Sequence, residues 1–172
     1  WGHDPDEERW IDEGLSGYAE ELTGFTETDP SMVPSFLDST TFINFATEIW
    51  PNFPRSVLHY GATFLFASFL AERYGSSFIR TLVDEPRNGI FGIDDAFEAE
   101  NWDQRYEDVW ALWIAANYAA NDPSFGYSAL QGRRARADPA PAVPFGPIGG
   151  GVGSQWGTTN VIIRSVGDVE VD

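Results

Sequence analysis

The sequence predicts a mainly α-helical chain with a short β segment at its end. Three observations lead there. Apolar residues recur at helical spacing in several stretches between Trp10 and Tyr118. A glycine or proline stops most of those stretches. After Asn121 the composition changes: the last fifty residues hold nine Gly and five Pro, followed only by short β-branched runs. With 172 residues, 42% hydrophobic and 15% aromatic, the chain can bury one sizeable core, which excludes disordered and low-complexity classes.

Asp4-Pro5-Asp6-Glu7 reads as a helix start. Asp4 serves as N-cap, Pro5 takes the first helical position and Glu7 closes a capping box. That helix runs to Leu22 or Thr23, with Gly24 as C-cap. Ile11, Leu15, Tyr18 and Leu22 form its apolar stripe. Gly14 and Gly17 sit inside it, each costing up to about 1 kcal/mol relative to Ala, so something must pack closely there. Residues 25–55 read as irregular, broken at Asp29-Pro30, Val33-Pro34, Trp50-Pro51 and Phe53-Pro54, with a short helix over 40–49. Residues 56–74 are apolar nearly all round (Val57, Leu58, Phe64, Leu65, Phe66, Phe69, Leu70), which marks a buried central helix ended by Gly75.

Ser76 or Ser77 caps a further helix over 78–84, which stops before Pro86. Residues 94–99 predict a short helical turn. Residues 102–118 predict an amphipathic helix carrying Tyr106, Val109, Trp110, Trp113 and Asn117 at helical spacing. The chain therefore divides into a helical part, 1–122, and a tail, 123–172. The tail contains a Pro/Gly loop at 138–153, then strands over 161–166 and 169–171 around a Gly167-Asp168 turn. One hairpin is marginal alone, so it packs on the helices or opens a β-domain.

Ten basic residues, all Arg, against 27 acidic ones give a net charge of −17. Such a surface repels phosphate backbones and anionic lipid, so nucleic acid and membranes are disfavoured as partners. It suits a protein kept soluble by its own charge, a metal-dependent one, or one from a salty environment. Without Cys there are no disulfides, thiolate metal sites or thiol nucleophiles. The longest uncharged apolar run, residues 57–71, is too short to span a bilayer. The acidic clusters do not match an EF-hand loop, although calcium stays compatible with them. Arg133-Arg134-Ala-Arg136 is the one basic run and reads as a solvated loop open to proteolytic nicking. Phosphate-cradling and G-x-S-x-G motifs are absent.

The informative segment is Trp10-Ile-Asp-Glu-Gly-Leu-Ser-Gly-Tyr-Ala-Glu20. On a helical wheel Glu13 points almost opposite the apolar stripe. A solvated face is the plain reading, and the two glycines weigh against it. The segment resembles the second zinc-binding helix of the gluzincin metallopeptidases, in which a Glu within W-(L/I)-(N/D)-E-G-(L/F)-(S/A)-x-Y-x-E is the third ligand after the two His of HExxH. The resemblance implies that Glu13 binds zinc, with Asp12 and Glu20 supporting it.

Residues 59–75, His59-Tyr-Gly-Ala-Thr-Phe-Leu-Phe-Ala-Ser-Phe-Leu-Ala-Glu-Arg-Tyr-Gly75, are similar to the apolar helix that follows the zinc site in aminopeptidase-type members. There Tyr60 falls where a Tyr stabilises the tetrahedral intermediate, and His59 lines the cleft beside it or caps a core helix. Phe78-Ile-Arg-Thr-Leu-Val and Tyr106-Glu-Asp-Val-Trp110 resemble secreted bacterial members of the hyicolysin type. The likeness covers about residues 10–120. It implies a secreted zinc-dependent endopeptidase acting on peptides or proteins, with zinc polarising the scissile carbonyl and activating its bound water.

The chain departs from the pattern in one respect: it has no HExxH, and its only histidines are His3 and His59. In the family that motif lies upstream of the Glu helix. The expectation is therefore that this chain, which opens at Trp1, is the C-terminal part of a catalytic domain. An upstream segment or a companion chain would bring the HExxH helix against the Gly14/Gly17 side of the first helix, and the chain alone would be inactive. A non-catalytic binding or assembly module that keeps the peptidase scaffold is the alternative.

Overall fold

A computed structural model describes residues 6–25, 31–39, 46, 50, 56–119 and 125–135. Among these the chain is mainly helical and has no strand. Its elements are α1 (Arg9–Thr23), α2 (Met32–Asp38), α3 (Ser56–Asp84), α4 (Gly89–Ala99), α5 (Tyr106–Tyr118) and a 3₁₀ turn at Ser128–Leu130. The helix expected over 40–49 falls mostly, and the strands expected over 161–171 fall entirely, outside the described residues. So do His3, Asp4 and Pro5.

Every residue from Gly61 to Ala71 is buried, which makes α3 the central helix as its all-round apolar sequence requires. Gly75 breaks it with φ 87° and ψ 174°, so the element is two helical runs across a kink. α1, α2, α4 and the 3₁₀ turn all pack on α3, and α4 also touches α5. The core is aromatic. Phe66 lies 5.4 Å from Trp113 and 5.9 Å from Trp110, and Phe78 lies 4.4 Å from Phe97. Trp113 stacks on Phe36 at 5.6 Å, tying α2 to α5. No helix among the described residues is long and apolar enough to cross a membrane.

Residues 125–135 return to this core. Tyr127, Ala129, Leu130 and Ala135 are buried there. Trp113 donates from its ring nitrogen to the Tyr127 hydroxyl at 3.0 Å, and that hydroxyl donates to Asn117 Oδ1 at 2.6 Å. The Ala135 amide donates to the Asn117 carbonyl at 2.7 Å.

Several boundaries differ from those the sequence predicts. α1 begins at Arg9, with extended Glu8 as N-cap, and not around Pro5. Residues 6–8 are drawn aside: Glu7 accepts the Gly89 amide at 2.9 Å, and Asn88 donates to the Asp6 carbonyl at 2.5 Å. α2 forms across Val33-Pro34, where the sequence indicates a break. Pro34 sits in the first turn, where the missing N–H would have had no intrahelical partner. α4 begins at Gly89, five residues earlier than expected. α5 begins at Tyr106, four residues later than expected, because Asp94 accepts the Tyr106 amide at 2.7 Å and Asp108 accepts the Arg105 amide at 3.3 Å. The C-terminus of α1 is as predicted: Gly24 adopts φ 70°, and the Gly24 and Phe25 amides return to the Glu21 and Glu20 carbonyls, a Schellman closure.

Candidate active site

The site is built where α1 crosses α3. Gly14 lies on the α3 backbone: a Cβ there would come within 2.7 Å of the Thr63 carbonyl oxygen. Only a glycine lets the two axes approach this closely. Gly17 continues the contact, with Phe64 Cδ2 3.3 Å from where its Cβ would stand. The partner that the two glycines call for is thus α3 of the same chain. This corrects the expectation that a helix from outside packs against them.

One residue before Gly14 and one turn before Thr63, the crossing brings Glu13 and Tyr60 together. The Tyr60 hydroxyl donates to Glu13 Oε1 at 3.4 Å, across 47 residues of sequence. Arg9 completes a triangle, since its Nη2 donates to the Tyr60 hydroxyl at 2.8 Å and its Nε lies 3.4 Å from Glu13 Oε1. The hydrogen bond to Tyr60 is the main cause that raises the Arg9 guanidinium above its ordinary pKa. Trp50 forms one wall. The Arg9 guanidinium carbon stands 4.8 Å above its ring, Tyr60 meets it edge-on at 5.1 Å, and His59 lies 5.2 Å away.

Of the residues singled out in the sequence, Glu13 and Tyr60 therefore meet directly. His59 is buried at 3% exposure and joins the group through Trp50. Asp12 and Glu20 are exposed on α1, with Glu20 two turns from Glu13. Arg9 and Trp50 were not anticipated. Arg9 was detectable, because it stands four residues before Glu13 on one helix face. Trp50 carries no such signal, being near neither partner in sequence and flanked by Pro51.

The donor chemistry of Glu13 suits zinc, but its count falls short. A catalytic zinc takes three protein ligands. Among the described residues no group of three or more His, Asp or Glu could hold a metal. These residues alone therefore do not make a zinc centre. A separate hollow of about 330 Å³ is lined by Glu98, Asn101, Trp102, Asp103, Gln104 and Arg105, and includes none of the residues the sequence singled out. The chain matches no family model, no curated protein and no solved structure.

Proposed function

We propose that this chain is the helical C-terminal part of a gluzincin-type, zinc-dependent endopeptidase domain. Glu13 is its carboxylate ligand and Tyr60 its hydrogen-bond donor. The two histidines and the general base lie on an HExxH helix carried by an upstream segment or a companion chain. The observation that carries this reading is the convergence of Glu13 and Tyr60 at 3.4 Å. The sequence likeness assigns these two residues to one site from motifs 47 positions apart. A phenol keeps its proton at neutral pH and can donate to the oxygen that gains charge when a peptide carbonyl is attacked. Trp50 and Tyr60 give the substrate an aromatic wall, and Asp12 and Glu20 lend negative charge to the α1 face. By the same likeness the enzyme is secreted and cleaves peptides or proteins.

The zinc content of the complete gene product tests the assignment. Wild-type protein should hold about one zinc per chain, and folded Glu13→Gln should lose it. Zinc retained in full by Glu13→Gln would overturn the ligand role. The second reading, a non-catalytic module on the same scaffold, is favoured by one observation: a guanidinium already stands 3.4 Å from the Glu13 carboxylate. On that reading neither protein carries zinc.

A further inference from the structure

Arg9 has no part in the roles drawn above, yet it contacts both residues that carry them. A phenol hydroxyl can donate or accept, and its hydrogen rotates to suit its neighbours. A guanidinium can only donate. Arg9 Nη2 therefore occupies the acceptor side of the Tyr60 oxygen at 2.8 Å. The phenol hydrogen is left to point away from Arg9, toward the carboxylate 3.4 Å off. Arg9 is itself held in place: its Nε faces Glu13 Oε1, and its guanidinium lies over the Trp50 ring and 5.8 Å from that of Tyr60. A charged donor on the phenol oxygen also strengthens the outgoing O–H as a donor.

We propose that Arg9 is a positioning residue for Tyr60: its hydrogen bond to the phenol oxygen fixes the hydroxyl as a donor aimed at the Glu13 side of the site. The consequence for catalysis rests on the reading of Tyr60 as the oxyanion donor. The contact itself does not. Arg9 is exposed in the first turn of α1, so replacing it spares the core. Arg9→Met removes the donor, and Arg9→Lys restores one that likewise cannot accept.

Two measurements test the proposal. In the 172-residue chain labelled with [¹³Cζ]tyrosine, Tyr60→Phe identifies the Tyr60 signal among six tyrosines. Arg9→Met should shift that signal and Arg9→Lys should return it toward its original position. An unmoved Tyr60 signal in Arg9→Met overturns the proposal. In the complete peptidase, Arg9→Met should lower kcat about tenfold and should cost nothing further in a Tyr60→Phe background. Equal losses in both backgrounds would show that Arg9 does not act through Tyr60, which also overturns it. A complete product without any turnover overturns the proposed function and the catalytic consequence together, while the shift in the labelled chain still decides the contact.

Discussion

Where α3 meets α1, a glycine is seated on a backbone carbonyl, Trp10 packs against Phe66 at 6.0 Å, and a charged and aromatic rim lies beside them. Where α3 meets α5 and the 125–135 segment, the contact is a cluster of tilted and edge-on rings: Phe66, Phe69, Trp110, Trp113 and Tyr127. Large rings bury the most apolar area and contribute most of the stability. A bare glycine contributes little burial but fixes how closely two helix axes approach. The polar groups thus stand at the crossing whose spacing is set by the smallest residue.

The two contacts can be probed one at a time. Trp113→Ala removes a ring that is 1% exposed, contacts Phe36, Phe66 and Trp110, and holds Tyr127. It should cost about 3–5 kcal/mol in chemical denaturation, the largest effect expected here. Gly14→Ala should cost about 1–3 kcal/mol, because its Cβ meets a backbone oxygen that cannot rotate away. Gly17→Ala should be neutral, or stabilising by up to about 1 kcal/mol, because it meets only a ring edge and relieves a helix-interior glycine. Equal costs at the two glycines would remove the special status of the Gly14 contact.

Alkaline pH probes the buried phenols of the aromatic core. Burial pushes the hydroxyls of Tyr74, Tyr106 and Tyr127 above the ordinary tyrosine pKa. Below about pH 10 these groups are protonated in both states, and their contribution to stability is complete. Above it the unfolded chain releases the protons while the folded one keeps them. Stability should therefore fall as pH rises past about 10, by at most roughly 1.4 kcal/mol per pH unit for each such group. Denaturation midpoints between pH 9 and 11 check the slope, and Tyr127→Phe should flatten it.

The smallest effect is on the surface. With a net charge of −17, raising salt from 0.15 to 1 M should screen self-repulsion and lift Tm by about 2–4 °C. Trp113→Ala should show the same increment, since the two terms act on separate parts of the fold.

Those two regions were unequally legible in the sequence. The central helix was plain, because burial on all sides leaves a continuous apolar run and Gly75 punctuates it. Tyr106, Val109, Trp110 and Trp113 were correctly set on one buried face of α5 by their spacing. The starts of α1 and α5 differ from the sequence reading because Glu7 and Asp94 bond to backbone amides distant in sequence, which no local rule identifies. Pro34 hid α2, since a proline in a first turn looks the same in sequence as one that ends a helix. At the crossing, Gly14 and Gly17 announce a close neighbour without saying which, and the residues they meet, Thr63 and Phe64, lie 49 and 47 positions on. A family likeness in sequence points to Glu13 and Tyr60, and their meeting depends on the crossing of α1 and α3. Trp50 depends wholly on tertiary placement.

Tyr60 offers the most direct test of a catalytic pair at the crossing. On the proposed function, Tyr60→Phe in the complete, zinc-loaded protein removes one hydroxyl from the rim of the crossing and leaves the ring in place. We expect kcat to fall about 10²-fold or more, with zinc content and folding retained. Unchanged turnover in a folded, zinc-loaded Tyr60→Phe protein would contradict the claim that the α1–α3 crossing assembles a catalytic pair.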